Sequence, residues 1–256
     1  MNSEPDPSRL GGWQWAHRSN GRLTRRERLT LLGRLASSES RRLAHRLYAA
    51  TGRRAPRTVD LDAGFEPPDS RFAREVEAAA KEQTPGLLAH GYRTWIYGRA
   101  LAAVDAAPCD DEMLYAGCLL HDHGLMSPIP MEDFTIRSAR RALECAQTSG
   151  LDPGDALRLA DAITVHTTAG IMVERDGPLG CYIQAGAMVD LTGSRLWDLP
   201  RGVVSRTLRQ YGRGGFAGEI AALIAAEADA VPGGRFALLR RCGFIPLMKL
   251  APFDRN

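Results

Sequence analysis

The stretch Tyr115-Ala-Gly-Cys-Leu-Leu-His121-Asp122-His123-Gly124 is an apolar run of helical character that closes on an adjacent imidazole and carboxylate. Such a pair packs a core badly but suits two neighbouring bonds to one divalent cation. Consecutive residues on a straight helix diverge by about 100°. At a helix end the divergence relaxes, and Gly124 marks such an end. A lone His90 lies 31 positions before His121 and a lone Asp190 lies 68 positions after Asp122. If both join the pair, the chain carries a metal.

Working outward from that run, the punctuation is that of successive helices. Thr24-x-x-Glu27 is a capping-box pattern opening a helix through Leu29, Leu32 and Leu35, with a second helix expected from Ser38 to Ala50. Gly52 and the prolines Pro56, Pro67 and Pro68 predict an extended connector over 52–69. Ser70 opens the next expected helix, ending near Thr84, and Thr84-Pro85 starts the one holding His90. Asp110 or Asp111 caps the run into His121-Asp122. Further helices are expected over 133–148, from Asp152-Pro153 to His166, and over 179–191, 200–211 and 216–230, with a short one from Arg235. Alternating β-branched runs joined by tight hairpin turns are missing. The predicted fold class is all-α, with an Arg-rich helical extension over 1–60 and a main body over 66–253.

At 256 residues the chain can bury a sizeable core, and 44% hydrophobic with 25% charged residues is ordinary for a globular protein. No window approaches the roughly 18 apolar residues of a membrane span, and the start lacks the pattern of a secretory signal. A cytoplasmic protein is expected. The five cysteines show no Cys-x-x-Cys spacing and read as reduced thiols. Residues 1–60 carry 13 Arg against 5 acidic residues, hence +8, leaving −5 on the rest. These arginines are interleaved with leucines rather than run together. A solvated helical face is favoured over nucleic-acid contact, and docking onto the body or a homo-oligomer contact is the expected use.

The order His90, His121-Asp122, Asp190 on separate helices resembles the HD-domain superfamily of helical metalloenzymes. The residues that carry it are His90 in Leu87-Leu-Ala-His-Gly-Tyr-Arg93, the His121-Asp122 run itself, and Asp190 in Ala187-Met-Val-Asp-Leu-Thr-Gly193. Within that superfamily the chain looks most like the cyanamide-hydratase-like branch. That finer likeness rests on Pro67-Pro68-Asp69-Ser70, His90-x-x-Arg93 followed by Tyr97-Gly98, Ala162-Ile163-x-x-His166-Thr167, the glycine-aromatic segment 211–216, and Ala251-Pro252-Phe253. The resemblance implies that His90, His121, Asp122 and Asp190 bind one divalent ion, with zinc favoured over manganese, iron or nickel.

Dinuclear relatives typically place two more histidines between the His-Asp pair and the last Asp. Only His123 and His166 lie there, and His123 is too close to Asp122, so a mononuclear site is favoured. His166 then becomes an acid, base or orienting group beside Asp122. Arg93 shares the helical face of His90 and can neutralise Asp190 or Asp122, or point at substrate. His123, Trp95 and Thr167 are weaker substrate-contact candidates. Tyr92 reads more readily as a packing aromatic, and Glu132 and Asp133 as members of a solvated loop.

Phosphoryl chemistry needs cations around the phosphate oxygens. Lysine is absent between Lys81 and Lys249, although Arg93, Arg137 or Arg140 could substitute. The leading expectation is hydration or hydrolysis of a small neutral molecule, a cyanamide-like nitrile or amide, by metal-activated water, with Asp122 or His166 taking the proton. A phosphohydrolase of nucleotides or phosphomonoesters is the alternative, and a non-catalytic binding protein stands third.

Overall fold

The computed structural model describes residues 6–50, 66–200 and 202–253. Among them the secondary structure is helical, with no strand or sheet. The helices are α1 (Trp13–Ser19), α2 (Arg25–Ala50), α3 (Arg71–Ala80), α4 (Pro85–Val104), α5 (Asp111–Leu120), α6 (Phe134–Ser149) and α7 (Pro153–Val165). They continue as α8 (Val173–Asp176), α9 (Pro178–Thr192), α10 (Val203–Gln210), α11 (Phe216–Ala230), α12 (Arg235–Arg241) and α13 (Phe244–Met248). The all-α expectation holds. No helix among these residues is long and apolar enough to cross a membrane.

The caps are where local chemistry placed them. Thr24 and Glu27 exchange the two bonds of a capping box, Glu27 Oε2 accepting from Thr24 N at 2.7 Å and Thr24 Oγ1 from Glu27 N at 3.2 Å. Ser70, Thr84, Asp110, Asp133 and Asp152 each accept a backbone N–H of the turn they open. The expected break at Ser38 does not occur. Its hydroxyl donates to Leu35 O at 2.9 Å inside a continuous α2. Most of the expected connector, 51–65, lies outside the described residues.

The short α1 has no side-chain N-cap and was not foreseen. Tertiary partners hold it instead. Trp13 N donates to Asp161 Oδ1 at 2.9 Å, and the preceding Arg9 bridges Asp161 and Asp176, both at 2.9 Å. Trp15, Ala16, Leu23 and Leu31 pack with Ile136 and Leu238, so this start of the chain shares a core with α6 and α12. Asp133 is buried rather than solvated, because it caps α6 and pairs with the buried Arg235 at 3.0 Å.

Helix α4 runs between α5 and α9 at the centre of the main core. Three glycines permit the approach. A β-carbon on Gly186 of α9 would overlap the Thr94 carbonyl oxygen, one on Gly98 would lie 2.5 Å from the Tyr182 oxygen, and one on Gly91 would lie 3.1 Å from the Cys118 oxygen. This contact sets His90 of α4 beside Asp190 of α9. Gly186→Ala therefore forces two backbones apart. Urea unfolding is expected to show a loss of about 1–3 kcal/mol, the usual cost of overpacking. An unchanged midpoint would refute the tight crossing.

Glu227 of α11 is buried, accepting from Phe134 N at 2.8 Å and Arg137 Nη2 at 2.6 Å. Burial pushes its carboxyl up to about 7 from 4.5, with Arg137 opposing the rise. Between those values the unfolded chain releases the proton while the folded chain keeps it, so this group removes stability as pH rises through that window. Urea midpoints at pH 5 and pH 7.5 should drop more for the wild type than for Glu227→Gln. Equal drops would show that the carboxyl titrates normally.

Candidate metal centre

His90 sits in the second turn of α4, His121 caps the C-terminus of α5, and Asp122 follows it with φ −107° and ψ 4°. The departure of Asp122 from helical geometry lets two consecutive side chains face one point. Gly124 contributes differently from the expected stop signal. It lies inside a 3₁₀ turn, His123–Met126, where a β-carbon would overlap the Phe134 carbonyl oxygen, and its N–H donates to Ser138 Oγ at 2.9 Å. Its smallness seats the turn on α6.

Three imidazoles converge on Asp122. His121 Nε2 lies 3.3 Å and His90 Nε2 3.7 Å from Asp122 Oδ2, while His166 Nε2 lies 3.6 Å from Oδ1. Each ring has its other nitrogen committed. His121 Nδ1 donates to Cys118 O at 2.7 Å, His166 Nδ1 to Ile163 O at 2.5 Å, and His90 Nδ1 to Asp190 Oδ2 at 2.6 Å. A carbonyl only accepts, so those Nδ1 atoms carry the protons and the Nε2 lone pairs face the Asp122 carboxylate. Lone pairs aimed at an anion repel unless a proton or a cation stands between them.

The site is deeply buried, with His90 fully inaccessible and Asp122 5% exposed. His121 Nε2 is a buried atom without a hydrogen-bond partner, whereas Thr94 Oγ1 approaches His90 Nε2 only at 3.5 Å. Burial pulls His90 and His166 below the ordinary imidazole value, against the pull of Asp190 and Asp122 respectively. Burial also opposes charge on His121, but Asp122 outweighs it and holds that ring up. Burial would raise Asp122, yet the facing imidazoles keep it well below the carboxylate range. Neutral imidazole and ionised carboxylate are the metal-binding forms, so the shifts of His90, His166 and Asp122 favour an ion, whereas the proton that Asp122 draws to His121 is one that an ion would displace. His90, His121 and Asp122 bring one donor atom each within 4.8 Å of one another. Two nitrogens and one oxygen suit zinc, manganese, iron or nickel, and three protein ligands leave positions open for water.

No protein-family model matches the sequence, and no curated protein is significantly similar to it.

Asp190, expected as the fourth ligand, stands behind His90 instead. Its Oδ2 holds His90 Nδ1, while Oδ1 accepts from Arg93 Nε at 2.9 Å and Arg213 Nη1 at 2.5 Å. Burial would raise this carboxyl; His90 and the two guanidiniums keep it well below its usual range. Arg93 is thus a counter-charge to Asp190. It also donates to Gly212 O at 2.7 Å and lies over the Phe216 ring, which stacks on His90 at 4.9 Å. The reading of the sequence missed Arg213 and Phe216 as members of the site, although they lie in the glycine-aromatic segment it singled out.

The weaker candidates separate. Thr167 borders a cavity together with His121, Asp122 and His166. Trp95 does not: it packs edge-on against Tyr115 at 5.1 Å, beside a separate hollow at Asp69 and Arg99. His123 turns outward to Glu82 Oε2 at 3.1 Å, because it lies one residue round the turn from Asp122. Tyr92 stacks on Tyr211 at 4.5 Å. Glu132 pairs with Arg140 at the surface.

Second partners that orient a ligating histidine typically contribute about 10–100-fold in metal affinity. Asp190→Asn should weaken zinc binding by roughly that factor while one ion still binds at saturation. His121→Ala or Asp122→Ala should abolish stoichiometric binding. Equilibrium dialysis with elemental analysis reads both; complete loss of the ion in Asp190→Asn would make Asp190 a direct ligand.

Proposed function

We propose that this chain is a metal-dependent enzyme of HD type that adds water to an uncharged electrophilic carbon, as a hydratase or hydrolase. The observation that carries the reading is the convergence of three Nε2 lone pairs on Asp122, each ring fixed in tautomer through Nδ1. Three of those groups, His90, His121 and Asp122, would hold one divalent ion. When bound, that ion supplies Lewis acidity, bringing the ionisation of water toward neutral pH and polarising the substrate.

His166 supplies the proton handling. It stands 3.6 Å from Asp122, its Nδ1–H is tied to a carbonyl, and burial keeps Nε2 unprotonated near neutrality. A base held in one tautomer can accept a water proton at Nε2 and return it to the substrate nitrogen. Arg235 braces this end of α7 by donating to Thr164 O at 2.5 Å and Thr168 Oγ1 at 3.0 Å. Gln184 donates to the carbonyls of His166 and Thr168. The base therefore sits on a turn held from two sides.

Phosphate chemistry receives less support, since the arginines expected to bind phosphate have other partners. Arg93 serves Asp190, Arg137 serves Glu227, and Arg140 serves Glu132. Metal-replete protein should convert cyanamide to urea or release ammonia from simple amides, with activity removed by chelation and restored by one ion per chain. His166→Ala should lower kcat by about 10²–10⁴ with the ion retained. Phosphate release from nucleotides without any action on cyanamide, nitriles or amides would refute the proposal.

A further inference from the structure

The candidate metal centre opens into a cavity of about 470 Å³, far larger than cyanamide requires. A cavity of about 150 Å³ already accepts benzene, so the space corresponds to roughly three ring-sized units. Its polar end is His121, Asp122, His166 and Thr167. The remaining wall is chiefly apolar, with Ile171, Met172, Met188, Leu239, Phe244 and Leu247 drawn from the loop after α7 and from α9, α12 and α13. Leu35 of α2 closes one side, so the N-terminal helix contributes to the wall. Among the described residues, the charges in the lining do not offer an anion a free cation. Arg195 is held by Asp105 at 2.8 Å and Asp198 at 2.9 Å, and Glu174 is itself acidic. A pocket with His121, Asp122 and His166 at one end and a wall that is chiefly apolar, apart from Asp105, Glu174, Arg195 and a few neutral polar groups, fits a ligand with one polar end and a mainly apolar body.

Building on the water-addition reading above, we infer that the substrate is a nitrile, or a substituted cyanamide, whose substituent is an uncharged apolar body seated in this cavity. Water adds across the carbon–nitrogen triple bond. Its oxygen bonds to carbon, one carbon–nitrogen π bond breaks and then a proton shifts, and both water protons finish on nitrogen. The product is an amide or a substituted urea, and nothing leaves. The proton transfers use the water and His166, so no oxidant, reductant or further reactant enters. The apolar body places the nitrile carbon at the polar end and excludes bulk water from it.

Straight-chain nitriles from acetonitrile to decanenitrile test the assignment, with binding measured calorimetrically on metal-free and metal-loaded protein and amide formation on the loaded protein. Each buried methylene should tighten binding about fourfold until the cavity fills, with the same gradient in both forms. Met188→Trp, or Leu247→Trp if the first variant does not fold, should flatten the gradient by occupying the cavity. Affinity independent of chain length on either form would overturn the inference, even if cyanamide itself were hydrated. A binding gradient without any amide formed would instead sink the water-addition reading and support the apolar occupant.

Discussion

A carboxylate with no access to water must be neutralised where it lies, and Asp190 is in that position. One oxygen takes the His90 ring proton and the other takes Arg93 and Arg213. These partners come from α4 and from the turn before α11, so a single buried charge ties three parts of the chain together. Removing both guanidiniums would leave the charge uncompensated in the core, which is far costlier than losing a surface pair. The same bond fixes the tautomer of His90. Structural cohesion and the direction of the His90 lone pair are therefore one constraint.

That constraint depends on how closely α4 and α9 approach. Gly98 and Gly186 allow backbone to meet backbone, and the helices then carry His90 and Asp190 to hydrogen-bond distance. The other two rings are set more locally. His121 and His166 each end a helix, and each returns Nδ1–H to the carbonyl three residues earlier. The repeated local device aims two Nε2 atoms inward without needing distant partners. Asp122 can face them because the chain leaves helical geometry immediately after His121.

Much of this was legible in the sequence because the deciding chemistry was local. The caps at Thr24, Ser70, Thr84, Asp110 and Asp152 each bond within three residues, so a short window contains both partners. Helix α1 was not legible, since its stability comes from Asp161, Asp176 and the core beneath it rather than from its own seven residues. The residues of the centre could be selected by type and order, but not their division of labour. Whether Asp190 faces an ion or the back of His90 depends on Arg93 and on Arg213, which lies 23 positions downstream. His123 faces away from the centre for a related reason. One residue of rotation past Asp122 sends it to Glu82, and adjacency in sequence conveys nothing about that turn.

The distribution of charge also separates binding from chemistry. Arg93 and Arg213 lie behind His90, bound to Asp190, and do not line the cavity. The wall beyond His121, Asp122 and His166 is chiefly hydrocarbon. In such surroundings a formal charge on a bound molecule would meet a desolvation cost that no free counter-charge among the described lining residues offsets. A neutral group avoids that cost, and under the proposed water addition the polar groups His121, Asp122 and His166 would stand where charge develops. If the proposed water addition holds, preference for an uncharged substrate would rest on the placement of the arginines as much as on the shape of the cavity.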